Sequence, residues 1–229
     1  MQIVSKFMKT WVKANRSFLI VLLLFGFVRT ALADWNPIPS GSMRPTLLEG
    51  DVVLVNRVAY ELKVPLTDIA VLRLADPQRG DVVTFTSPKD GVRLIKRLVA
   101  VPGDVVAMRG DRLFINGRAA HYAEVTEVQE PLADGGTTPA LHLQESIGGK
   151  RRAVQLLPEV PARRDFGPLV VPADSYYMLG DNRDDSADSR YIGFVPRRLL
   201  IGRAHHVLVS ANIKGNWMPR FERFGERIL

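Results

Sequence analysis

Cysteine is absent from the 229 residues. That removes disulfides, thiolate metal sites and a cysteine nucleophile, and leaves the redox compartment open. Histidine is scarce, with four in the chain. His121 and His142 stand alone, and the pair His205-His206 falls on alternate faces of a strand, which makes a poor chelate. Neither H-E-x-x-H nor G-x-S-x-G occurs, so a zincin or an α/β-hydrolase has no support. Spacing does not exclude a Ser-His-Asp triad, but nothing nominates a histidine for one. The acid-rich loop Gly180–Arg190, G-D-N-R-D-D-S-A-D-S-R, lacks the ligands of a calcium loop. Counted from Asp181, Arg183 holds the third place and Ser186 the sixth, where glycine is required.

Acid is missing from residues 1–33, which carry Lys6, Lys9, Lys13, Arg16 and Arg29. With those five set aside, 26 of the 31 basic residues face 24 acidic ones, so the net charge of +7 belongs mostly to the N-terminus. A nearly neutral body argues against a nucleic-acid partner. Long apolar runs are missing too, except for S-F-L-I-V-L-L-L-F-G-F-V, Ser17 to Val28. As a helix these residues span roughly 18 Å, short of a ~30 Å hydrocarbon core. Extension to Ala33 lengthens the run, with Arg29 near its far end. Residues 1–16 then read as a basic cytoplasmic lead and 17–33 as a transmembrane anchor, because the cations before the run hold the N-terminus inside. A cleavable signal peptide is the competing reading, since Ala31-Leu32-Ala33 fits a small-x-small site.

What is present after residue 50 is strand text. Gly-Asp-Val-Val recurs at Gly50, Gly80 and Gly103, each time a turn pair before a β-branched run. Strands are expected over 51–58, 81–86, 92–101, 104–109, 112–117 and 175–180. Residues 196–204 form a short helical turn leading to a last strand at H-H-V-L-V-S. Residues 118–168 read as an inserted subdomain with weak strands, between core parts 34–117 and 169–229, and the main sheet resumes near Pro168. The fold class is mostly β: an antiparallel coiled sheet or partly open barrel with an inserted β-rich subdomain and one N-terminal hydrophobic helix. Arg79-Gly80-Asp81 and Arg109-Gly110-Asp111 are turn chemistry rather than adhesion motifs. The tail 216–229 mixes Trp217, Phe221 and Phe224 with arginines, which suits a lipid interface and packing on the body equally.

Serine and lysine remain as carriers of chemistry. A serine hydroxyl needs a base, and a lysine amine serves only when burial lowers its pKa. Lys96 shares a face with Leu94 and Leu98 in V-R-L-I-K-R-L-V-A-V, so it either snorkels at a sheet edge or is desolvated for use. Arg97, on the other face, is expected in solvent. Ser40 and Ser42 lie in I-P-S-G-S-M-R-P-T-L, just after the apolar run.

The basic-then-apolar lead, I-P-S-G-S-M-R-P-T-L, G-D-V-V-L-V-N-R, R-G-D-V-V-T-F, L-I-K-R-L-V-A-V-P-G-D and G-D-N-R-D-D-S-A-D-S-R-Y-I-G-F-V-P together resemble the bacterial type I signal peptidases. They come in order through most of the chain; 118–168 matches least. The resemblance implies a membrane-bound endopeptidase that removes signal peptides from exported preproteins after small-x-small sites, without a metal or cofactor. It implies Ser42 as nucleophile, Lys96 as general base, and an oxyanion hole of the Ser40 hydroxyl and the Ser42 N–H. Ser186 would orient the Lys96 amine, with Asp188 and Arg190 bracing the loop. Ile38, Met43, Leu47, Val53 and Ile95 are candidate linings for the pockets that read small side chains. The implied fold is the coiled sheet shared with self-cleaving bacterial repressors. The implied setting is the bacterial inner membrane, crossed once, with a monomeric catalytic body on the outer side whose partners are preprotein signal peptides and the lipid bilayer. A peptidase that matures a single partner, such as a conjugation pilin, and a non-catalytic tethered β module that binds peptides are the rival readings.

Overall fold

The structure is a computed structural model that describes residues 11–64, 67, 69–131 and 136–228. Lys6 and Lys9 of the basic lead lie outside the described residues. Helix α1 (Arg16–Phe27) runs through a π-turn (Val28–Leu32) into strand β1 (Ala33–Pro37). Then come β2 (Asp51–Asn56), β3 (Glu61–Lys63), β4 (Ala70–Arg73), β5 (Val82–Thr86), β6 (Arg93–Ala100), β7 (Val105–Arg109), β8 (Arg112–Ile115) and β9 (Arg118–Ala119). Three longer strands follow, β10 (His121–Pro131), β11 (Thr137–Ile147) and β12 (Lys150–Leu156). The chain ends with β13 (Phe166–Val170), β14 (Ser175–Leu179), the short helix α2 (Ser189–Ile192), β15 (Val195–Pro196) and β16 (Leu200–Ser210).

Seven strands in the order β1-β2-β16-β5-β6-β14-β15 form an antiparallel sheet that curls into a half-barrel. A four-stranded sheet, β13-β7-β8-β9, and a three-stranded sheet, β10-β11-β12, stand beside it. The mostly β architecture expected from the sequence is the one observed. The three Gly-Asp pairs before β2, β5 and β7 share one device. Gly50, Gly80 and Gly103 take φ of +90°, +93° and +84°, a region that favours glycine. The following Asp51, Asp81 and Asp104 each accept from the backbone N–H three residues earlier, at 2.8 to 3.0 Å. Each of these carboxylates also faces an arginine: Arg223, Arg203 and Arg79 respectively. Arg79-Gly80-Asp81 is therefore turn chemistry.

Three expectations change. The strands of 118–168 are not weak, because β10 and β11 are 11 residues each. Most of β10 is exposed or half-buried, so no apolar alternation marks it; its ladder to β11 holds it. The main sheet does not resume near Pro168. Phe166–Val170 pairs with β7, and the curled sheet resumes at Ser175, where Phe166 meets Tyr177 at a ring separation of 5.2 Å. The two histidines of 205–206 do not alternate cleanly, because a bulge between Ala204 and His206 leaves their rings 6.2 Å apart and nearly parallel.

The N-terminal region differs in its end point. Helix α1 has 12 residues, and among the described residues no helix is long and apolar enough to cross a membrane. Ala33 is already paired with Asn56 in the sheet, and Ala31 is buried. Arg29 folds over the Trp35 ring at 4.4 Å and faces Asp34. The Ala31-Leu32-Ala33 segment is thus part of the folded body, and a cut there would require pulling it from the sheet.

Candidate functional site

The first of the two serines sits on extended backbone and the second in a tight turn. Ser40 precedes a 3-10 turn, Gly41–Met43, with φ −135° and ψ 156°. Ile38 N–H donates to Asp51 O and Gly50 N–H to Ile38 O, which fastens the approach to the start of β2. Met43 and Leu47, both fully buried, pin the turn to the core and leave Ser42 half-buried above it. Opposite stands β6, with Lys96 in register with Val83 of β5. Its same-face neighbours Leu94 and Leu98 pack in the cluster around Phe85 and Met178.

Lys96 Nζ lies 2.5 Å from Ser42 Oγ, across 54 residues of sequence. Lys96 is only 3% exposed. Burial drives its pKa from 10.5 down to about 8, against the pull of Asp188, Asp181 and Asp185, while Arg190 adds a smaller push in the same downward direction. Desolvation wins because none of those carboxylates forms an ion pair with the amine among the described residues. A lysine whose pKa approaches neutrality, in hydrogen-bond reach of a hydroxyl, is chemically equipped to accept that hydroxyl's proton. Ser40 Oγ is 3.4 Å from Ser42 Oγ, on the exposed side.

The loop Gly180–Arg190 holds this pair from beneath. Asp188 is fully buried, accepts from Gly180 N–H at 3.0 Å, and makes a two-pronged ion pair with Arg190 at 2.8 Å on each prong. Arg190 reaches on to the carbonyls of Arg183 and Arg163. Gly180 has to be glycine, since a Cβ there would lie 2.2 Å from Ser186 Oγ and 2.5 Å from Ser42 O. Ser186 is therefore beside the turn, yet its Oγ is buried and makes no hydrogen bond. The bond from Ser186 to the Lys96 amine is not formed in this structure.

Several residues of the site carry no signal that marked them in advance. Asn182 N–H donates to Ser42 O at 3.2 Å and Asn182 Nδ2 to Gly41 O at 3.2 Å, tying loop to turn. Asp181 receives Arg97 through two bonds of 2.8 and 2.7 Å and Thr46 Oγ1 at 2.6 Å. Arg97, expected in solvent, is 1% exposed. Glu145 of β11, fully buried, is shared by Arg183 and Arg152 and held well below the usual carboxylate range by their charges despite its burial. Arg44, next but one to Ser42, pairs with Glu49 and with Glu130 of β10. The three-stranded sheet is thereby fastened both to the turn that carries Ser42 and to the supporting loop.

The pocket expectation needs correction for four of its five residues. Ile38, Met43, Leu47 and Val53 are 0 to 2% exposed and share one core cluster, so they are the packed floor under the turn. Close packing leaves them no free face for a substrate side chain. Ile95 is the half-buried member at the rim of that cluster.

The family model described as signal peptidase, peptidase S26, matches residues 8–209. Signal peptidase I of Pseudomonas fluorescens is 39% identical over 227 residues, covering 93% of this chain and 78% of its own length. Signal peptidase I of Pseudomonas aeruginosa is 38% identical over 231 residues with the same coverages. The crystal structure of a signal peptidase I from Enterococcus faecalis V583 is 30% identical, covers 57% of this chain and 97% of its own, and has a TM-score of 0.34.

Proposed function

The chain belongs to the signal peptidase family, peptidase S26, and on that premise we propose that it is a serine endopeptidase that cuts signal peptides from exported preproteins after small-x-small sites. The observation that carries the mechanism is the 2.5 Å approach of the buried Lys96 amine to Ser42 Oγ. Neutral Lys96 takes the Ser42 proton as Oγ attacks the scissile carbonyl. The Ser42 N–H and the Ser40 hydroxyl stabilise the oxyanion, which is worth several kcal/mol when two donors are in place. The ammonium then protonates the leaving amine, and the same amine activates water against the acyl-enzyme. Asp188 and Arg190 keep the loop at its height below the amine, and Ser186 rotates to orient the amine once substrate is bound. Small side chains before the cut meet the rim at Ile95.

In this reading α1 tethers the body to the outer side of the bacterial cytoplasmic membrane, with the N-terminus inside. Support comes from Phe18, Val21, Leu24 and Phe25, which are 57 to 63% exposed along one short helix, an apolar surface that water disfavours. Trp217 and Phe221 on the tail, 71 and 70% exposed, offer a second contact with lipid. Residues 118–168 act as an inserted subdomain between core parts 34–117 and 169–229, and the body works as a monomer.

Cleavage of several unrelated preproteins by the full chain in detergent is the test. Wild-type protein cuts them all after small-x-small sites, while Ser42→Ala and Lys96→Met abolish cleavage and keep the native circular dichroism spectrum. The rate falls about tenfold per pH unit below the Lys96 pKa of about 8 and levels off above it. Undiminished cleavage by either variant, or a rate equal at pH 9 and pH 5, overturns the dyad. Cleavage of a single preprotein alone identifies the one-partner maturation enzyme instead.

A further inference from the structure

Although the body of the chain is nearly neutral, the fold gathers cations in one place. A cavity of about 350 Å³ opens between the start of β12, the middle of β16 and the C-terminal tail. Lys150, Arg151, Arg152, Arg203, His205 and Arg227 line it, and Asp81 is the single carboxylate in its wall. Arg97, paired with Asp181, also reaches it.

The local charges do not cancel. Asp81 lies 3.5 Å from Arg203, and its other oxygen is taken by Tyr60 and Gln78. Arg152 shares Glu145 with Arg183, two guanidiniums to one carboxylate. Lys150, Arg151 and Arg227 have no carboxylate partner among the described residues. The buried Arg203 Nε has no hydrogen-bond acceptor, and neither has Arg152 Nη2 beyond its ion pair to Glu145. The His205 imidazole is held below its usual pKa, first by burial and then by the charges of Arg203, His206 and Arg227, with Asp81 opposing.

Cations without a carboxylate partner on two chain segments, Lys150 held only by Arg79 O at 2.6 Å, a buried Arg203 Nε without an acceptor, and a hollow of this size are what a multivalent oxyanion requires. Guanidinium forks match a phosphoryl group in shape as well as charge. The Gly148-Gly149 turn, with φ of +59° and +78°, folds the β11–β12 hairpin back so that Lys150 and Arg151 project from its end. Arg227 is brought to the same rim by the bridge between residues 206 and 227.

We propose that this cavity is a binding site for a phosphoryl group, separate from the Ser42–Lys96 pair. The group is either free phosphate or the headgroup of an anionic lipid. A trough lined by Arg151, Arg152 and Arg227, and by Glu124 and Glu226, continues from the cavity to Pro45 and Thr46, just after the turn that carries Ser42. Occupancy therefore sits next to the turn without touching either reacting atom.

The test is a titration of the full chain in neutral detergent with inorganic phosphate and, separately, with short-chain phosphatidylglycerol, using short-chain phosphatidylcholine as control. The readout is the set of imidazole NMR signals, which number only four. The His205 signal shifts saturably and the His121 signal does not. Arg151→Gln and Arg227→Gln, both at exposed positions, each weaken the apparent Kd by about tenfold or more, the usual effect of losing a charge-assisted contact. Saturation by phosphate supports a free-anion site, and saturation by phosphatidylglycerol alone supports a lipid-headgroup site. No saturable His205 shift with either ligand, an equal shift with phosphatidylcholine, or unchanged affinity in both variants overturns the proposal.

Discussion

Replacing Lys96 by methionine should make the protein more stable while removing its activity. The amine is 3% exposed and its pKa falls from 10.5 to about 8. At pH 7 the unfolded chain carries a fully charged lysine in water, whereas the folded chain carries the same charge in a dry site. A displacement of about 2.5 units at ~1.4 kcal/mol per unit sets a penalty of roughly 3 kcal/mol on the folded state. Methionine matches the aliphatic stem and packs against Leu94 and Leu98 without that penalty. Losing the bond to Ser42 costs about 1 kcal/mol, which leaves a net gain of about 2 kcal/mol at pH 7. For a chain of this size that raises Tm by roughly 4–8 °C. The sign of the pH dependence is fixed by linkage. Between pH 8 and 10.5 the unfolded state binds the proton that the folded state has released, so wild-type stability attributable to this group rises with pH through that window. The difference between Lys96→Met and wild type must therefore shrink as pH climbs from 8 toward 10.5. Calorimetric melting of both proteins at pH 7 and pH 10 measures it. A Lys96→Met variant that melts at or below the wild type at pH 7, or a gap that stays constant with pH, refutes a desolvated amine.

Ser186→Ala removes a buried hydroxyl that makes no hydrogen bond, so Tm should hold or rise slightly; if the hydroxyl orients the amine during turnover, kcat falls while KM stays, and a fall in KM-controlled rate alone argues against that role. Glu145→Gln removes the carboxylate that Arg183 and Arg152 share, leaving both guanidiniums buried without an ion-pair partner, and unfolding in urea should show a loss of about 3–5 kcal/mol. An unchanged midpoint would mean that the three-stranded sheet does not depend on this ion triad for its attachment.

Of the two residues proposed to react, Lys96 is marked by its spacing with leucines on one face of a strand, whereas the role of Ser42 comes from the family resemblance carried by I-P-S-G-S-M-R-P-T-L. Sequence reasoning also found the strands whose β-branched runs follow Gly-Asp turns, since there the turn chemistry and the alternation agree. What it missed has one physical source. The strand β10 is exposed or half-buried throughout and so reads as weak, yet with β11 and β12 it is fastened to the Ser42 turn and the supporting loop through Glu130, Glu145 and Gln155. Arg97 was placed in water because alternation gives only the two faces of a strand, not what covers them. With Gln155 bonded to Asp181 and Arg183 through the backbone and Glu145 holding two arginines, the outer face of β6 becomes an interior lined with ion pairs. The same omission explains why Asp181, Glu145 and Asn182 were not assigned roles: Arg183, Arg97 and Gly41, which they meet, lie 38 to 141 residues away, beyond any local pattern. A buried ion pair stabilises only when both members are in place, so the ion pairs that Glu130 and Glu145 make with Arg44 and Arg183 are a condition for the geometry at Lys96.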